Sequence, residues 1–254
     1  MYWLSSGQNA RISGMLENPK PVPPWRIRLE GSDADLKDLA SCMTKGQTRV
    51  VQQDGAYFLE SEVLDDLQEP AAVPGKAREL LKVISSVARV RRSMAKPIGF
   101  AALRWKDSNG IWHQTVTGSY TIRTYSNITR LTASGTFERC VELALKDDLV
   151  RTNLNDLLGE WDFPRLRRIG ETILLDLGGG DTRKGVQEVV KRDWASKTDC
   201  DLFWQTVNHG DTKSPGAHSE FREFRRAPGN NLMNVVQAGE FLSDVIAKWL
   251  ESKL

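Results

Sequence analysis

Thr48-Arg49-Val50-Val51-Gln52-Gln53-Asp54-Gly55-Ala56-Tyr57-Phe58-Leu59-Glu60 reads as two strand-forming runs flanking Asp54-Gly55. Glycine accepts the positive φ that a two-residue hairpin turn demands, and Asp-Gly between two such runs is a strong hairpin signal. Strands joined this tightly run antiparallel. Upstream, Trp25, Ile27 and Leu29 alternate with Arg26, Arg28 and Glu30, the period-two signature of a half-buried strand. Ser32 follows as an N-cap, with Asp33 and Asp35 in the first turn where the helix dipole favours negative charge, and Leu36, Leu39, Ala40 and Met43 recur at helical spacing.

Downstream of the hairpin, Ala77, Leu80, Leu81, Ile84, Val87 and Ala88 form one apolar stripe and predict a helix over 75–91. Strands are expected over 98–105 and 111–117, around Asp107-Ser108-Asn109-Gly110, and again over 120–124 and 128–132. The order predicts an α+β fold, with an antiparallel sheet and two helices over residues 22–134. Residues 1–21 read as a tail, because Pro19, Pro21 and the following Pro23 and Pro24 cannot donate ladder hydrogen bonds. After Ser134-Gly135 the alternation stops. Helices are expected over 137–149, 151–158, 164–177, 182–194 and 231–254, with a short addition at 199–207. Residues 136–254 therefore read as an all-α helical domain with a long polar loop, 208–230.

Composition sets the outer bounds. The chain has 254 residues with 35 Lys+Arg against 33 Asp+Glu, a net charge of +2 that argues against a surface built throughout for nucleic acid. With 40% hydrophobic and 27% charged residues, it is too apolar for a disordered chain. No apolar run reaches the ~18 residues of a membrane span and no signal peptide is read, so a soluble, cytoplasmic protein with no membrane partner is expected. Cys42, Cys140 and Cys200 are odd in number and far apart, which excludes a disulfide framework or a Cys-rich zinc module.

Two stretches carry possible chemistry. In Ile173-Leu174-Leu175-Asp176-Leu177-Gly178-Gly179-Gly180-Asp181-Thr182, Asp176, Gly178 and Gly180 resemble the S-adenosylmethionine-binding loop of Rossmann-type methyltransferases. The same stretch is similar to the second phosphate loop of actin-like and Hsp70-like ATPases. Thr182 stands where the methyltransferase loop has its third glycine. Leu166, Ile169, Ile173, Leu174 and Leu177 recur at helical rather than strand spacing, so the glycines read as a helix stop. No cofactor is evident from the remaining residues.

The second stretch is the polar loop. His209, Asp211, His218 and Glu220 are the candidate catalytic residues. His209, Asp211 and His218 could hold a divalent metal, since imidazole and carboxylate are competent ligands. Alternatively the two histidines serve as general acid and base, or the loop is merely solvated. His113, beside Trp112, reads as a facing residue of the sheet. A helical domain with a histidine-bearing loop resembles the HEPN-type RNases of bacterial defence and toxin systems. Their Arg-x4–6-His signature is absent here, Lys213 being the only basic residue at that distance before His209 or His218. Gly55–Ser61, Asn208-His209, Gly210-Asp211, His218 and Trp249-Leu250 also resemble an uncharacterised group of bacterial proteins, which implies a β-rich front half and a helical back half.

Three arginine clusters are visible: Arg89, Arg91 and Arg92; Arg165, Arg167 and Arg168; and Arg222, Arg225 and Arg226. Singly, each reads as a solvated helix end or an ion-pair partner, the first complementing its own helix's dipole. Arg222, Arg225, Arg226 and Lys213 beside the histidine loop are the candidate phosphate or nucleic-acid contacts. With eight tryptophans and the apolar tip Tyr2, Trp3 and Leu4 as candidate partner contacts, the leading expectation is a bacterial interaction or accessory protein. It would belong to a defence-type complex, bind a protein partner or a second copy, and lack evident catalytic machinery. The alternatives are a HEPN-like or metal-dependent nuclease or hydrolase using the histidine loop and, last, a methyltransferase.

Overall fold

The computed structural model describes residues 21–91, 98–107, 109–116, 131, 135–209 and 232–254. Asp54 and Gly55 both take left-handed φ, 52° and 74°, and close the hairpin between β2 (Thr48–Gln53) and β3 (Ala56–Ser61). Around it lie β1 (Pro21–Glu30), β4 (Gly99–Asp107) and β5 (Trp112–Val116). The five strands form one antiparallel sheet in the order β2-β3-β1-β4-β5, the α+β class expected from the sequence. The strands expected over 120–124 and 128–132 lie outside the described residues, as do residues 1–20 of the tail.

The tail boundary at residue 21 is corrected, since Pro21 already belongs to a strand. β1 begins at Pro21, paired with Asp107, and its register against β4 shifts between Val22 and Arg26. Proline lacks an N–H but keeps an accepting carbonyl, and strands admit it at bulges and starts. The shift takes up Pro23 and Pro24.

Ser32 caps α1 (Asp33–Cys42), its Oγ accepting from the Asp35 amide at 3.1 Å. One turn, α2 (Glu62–Asp65), was not expected, being too short for any periodic signal. α3 (Val73–Arg91) follows the predicted stripe and is the hub of the molecule. It packs on β4 and also on α4 (Thr136–Lys146), α5 (Asp148–Leu157) and α9 (Val235–Lys253). Ile27, Leu29, Val50, Leu59 and Leu103 are buried together with α1 and α3, and that apolar cluster continues without a break into the helices beyond residue 135.

The helical half is punctuated by side-chain caps. Asp147 starts α5, Asp162 starts α6 (Phe163–Leu177), Asp181 starts α7 (Thr182–Lys191), and Asn234 with Gln237 forms a capping box on α9. The Asp147 cap splits the predicted 137–149 helix three residues early. α8 (Lys197–His209) is longer than the short addition expected. Gly178 ends α6, with Gly179 and Gly180 left-handed behind it, and the Gly180 amide returns to the Leu175 carbonyl. A Cβ on Gly185 would run into the Leu174 backbone, so this glycine lets α6 and α7 touch. Among the described residues no helix is long and apolar enough to cross a membrane.

Candidate functional site

The residues singled out in the sequence fall into three groups. His209 is the last residue of α8, and Thr206 Oγ1 accepts from the Met233 amide at 3.0 Å, drawing the two ends of the polar loop together. Asp211, Lys213, His218, Glu220, Arg222, Arg225 and Arg226 lie outside the described residues, as do Tyr2, Trp3 and Leu4. Among the described residues no cluster of three metal-ligating side chains occurs. Gly178–Gly180 follows a helix rather than a strand, so it is the helix stop that its spacing indicated.

Apart from Arg92, which lies outside the described residues, the arginine clusters of the helices are engaged in structure. Arg89, only 4% exposed, donates to the carbonyls of Leu158 and Gly159 and lies over the Trp161 ring. It stands in the last turn of α3, as expected, and also ties the carbonyls just past α5, a contact the sequence did not show. Burial pushes its guanidinium down to about 10, still charged at neutral pH. Arg91 pairs with Asp38, Arg165 donates to the Glu160 carbonyl, Arg167 pairs with Glu171 and Arg168 with Asp156.

A different cationic surface emerges on the sheet. Strand register places Arg49 opposite Glu60, Glu60 opposite Arg26, Arg26 opposite Arg104, and Arg104 opposite Gln114. These five residues form one row across all five strands, on the face away from Ile27, Leu59 and Leu103. At about 4.8 Å per strand the row spans roughly 19 Å. Beside it Lys106 faces Trp112, and on the other side Arg28 lies between Phe58 and Ala102. The positions share a face because side chains alternate along each strand.

The electrostatics of this face are lopsided. Arg26 and Arg49 both hold the Glu60 carboxylate, at 2.6 and 2.7 Å. Arg26 also donates to Gln53. Arg28, Arg104 and Lys106 have no carboxylate ion pair with a described residue. Three cations converge instead on Trp112: Arg26 at 4.7 Å from the ring centroid, Lys106 at 5.1 Å and Arg104 at 5.5 Å. Arg104 also covers Phe58, at 5.0 Å. Cation–π contact offsets part of the repulsion. Like charges directly opposite in a sheet are nonetheless destabilising, and Arg26 faces Arg104 directly.

Other features carry less chemistry. On the opposite face His113 stacks on Trp105 and its Nε2 lies 3.0 Å from Asp107. Asp107 also accepts from the Asn109 and Ile111 amides, bonds that with His113 hold its carboxyl below the usual range and fix the β4–β5 turn. Burial pushes the Cys140 and Cys200 thiols up to about 12 and about 11, which makes them poor nucleophiles. A cleft of about 340 Å³ beside α9 is lined by Trp194, Phe241, Asp199, Asp244 and Glu251. Lys248, also in its wall, donates to the Trp194 carbonyl.

Of the seven described tryptophans three are interior and four are half-buried, while Trp3 lies outside the described residues. Trp25, Trp204 and Trp249 are buried, and no described tryptophan is among the exposed large apolar residues. Sequence reasoning missed the sheet face because Arg26 and Arg28 read only as the polar half of a strand. The available signal was the shared parity of Arg104, Lys106 and Trp112 across a turn, which becomes a site only once register is known.

Comparisons with protein-family models, with curated proteins and with solved structures returned no match.

Proposed function

We propose that this protein is a binding protein that takes a polyanionic ligand on the arginine-bearing face of its sheet. The reading keeps the interaction role expected from the sequence and moves the contact surface from the N-terminal tip to β1, β4 and β5. One observation carries it: Arg26, Arg104 and Lys106 crowd around Trp112, while the row's one carboxylate, Glu60, lies between Arg26 and Arg49. A bound anion turns that repulsion into attraction, and Arg presents a planar fork that matches phosphate or sulfate oxygens.

Heparin elution tests this with charge held equal. An Arg28→Ala/Arg104→Ala double variant is expected to elute at clearly lower salt than the wild type. An Arg165→Ala/Arg168→Ala double variant, which loses the same two charges from the helical half, is expected to elute close to the wild type. Equal retardation of the two double variants would remove the sheet face as the site.

A further inference from the structure

Resting on that reading of the sheet face, we propose that the polyanion is a single-stranded nucleic acid, with bases stacked against Trp112 and its covering guanidinium planes. The phosphates then run past Arg26, Arg28, Arg104 and Lys106. A purely anionic polymer needs only cations, and this face supplies a π-surface at their centre. Bases that are not paired stack on aromatic rings and on arginine planes, and sequence-tolerant single-strand binding combines such platforms with a basic groove. Four of the five cations on the face are arginine, which both forks phosphate and stacks, against one lysine. A five-stranded sheet presents a broad surface, whereas the major groove of duplex DNA admits a helix or a two-stranded ribbon.

The row also gives the path a direction. Glu60, 8% exposed and gripped from both sides, places negative charge at the β3 position. The phosphate chain is thereby kept to the β1–β4–β5 side. Arg49, beyond Glu60, takes no part.

The test measures fluorescence anisotropy with a labelled single strand of mixed sequence, its duplex, and labelled heparin. Vesicles of phosphatidylserine and phosphatidylcholine are assayed by co-sedimentation. The wild type is expected to bind the single strand more tightly than the duplex. Its log–log salt slope should be near −3, at about 0.7 per neutralised cation over four cations. Trp112→Ala is expected to weaken single-strand binding about tenfold or more and to leave heparin binding unchanged. Trp112→Leu, which keeps an apolar cover over the sheet, should show the same selective loss, so a folding defect in the alanine variant does not decide the outcome. Arg104→Ala should lower the salt slope by about 0.7, and Arg49→Ala should not change it.

Duplex binding as tight as the single strand, or equal loss of heparin and single strand in Trp112→Leu, overturns the nucleic-acid assignment while the anion-binding face stands. Binding to vesicles alone also overturns it. Failure to bind heparin and single strand alike overturns both.

Discussion

Arginine serves two opposite purposes in this molecule. In the helical half Arg89 ties the chain just past α5 by donating to the Leu158 and Gly159 carbonyls, and Arg167 and Arg168 each meet a carboxylate. On the sheet, Arg26 and Arg104 sit directly opposite each other and lean with Lys106 over one tryptophan. The first arrangement lowers the energy of the folded chain by its own contacts. The second leaves Arg104 and Lys106 without a carboxylate ion pair among the described residues. Cations without a described carboxylate partner, rather than number of arginines, distinguish the sheet from the helical half, and the chain's net charge of +2 conceals them.

Removing Arg89 is the strongest way to break this contrast on the helical side. Arg89→Ala leaves two carbonyls without their donor and vacates a buried volume, and should cost about 3 kcal/mol in urea unfolding. Heparin binding per folded molecule should not change. A loss well under about 1 kcal/mol would mean that the Arg89 bonds are not a structural tie.

Glu60 is where the two uses of arginine meet. Glu60→Gln removes the carboxylate that Arg26 and Arg49 share, at an expected cost of about 2 kcal/mol for charge-assisted bonds in a mostly buried place. The same change frees Arg26 and should tighten heparin binding. Stability and affinity moving in opposite directions is the diagnostic result. Parallel losses would make Glu60 a structural residue alone.

The smallest effects sharpen the comparison by sign. Arg104→Gln relieves an opposed like-charge pair, so thermal unfolding should show no loss or a gain of up to about 0.5 kcal/mol. Arg168→Ala breaks a surface ion pair with Asp156 and should lose up to about 0.5 kcal/mol. If Arg104→Gln proves the more destabilising, the sheet cations are held by contacts that cation–π geometry alone does not describe.

Much of the fold was legible because short-range physics dictates it. Asp54-Gly55 needed no tertiary information, since both residues tolerate the left-handed backbone that so tight a hairpin uses. Ser32 and the Ala77–Ala88 stripe likewise announced α1 and α3. The glycines after Leu177 were readable as a stop from the helical spacing ahead of them. Omissions and errors came where a distant element takes part. Arg89 is the helix end it looked like, but its partners are about seventy positions away. Pro23 and Pro24 looked unfit for a strand until β4 supplied a register that slips past them.

The candidate site was hidden for the same reason. Sequence alone determined the antiparallel hairpin, the alternation of β1 and the change to helices after residue 135, because each depends on residues a few positions apart. Tertiary structure decided the order β2-β3-β1-β4-β5, and with it the row from Arg49 to Gln114. A period of two assigns a residue to a face, but only hydrogen-bonded register assigns it a neighbour. Arg26, Arg104 and Trp112 share no local pattern, and the sheet alone places them around one ring.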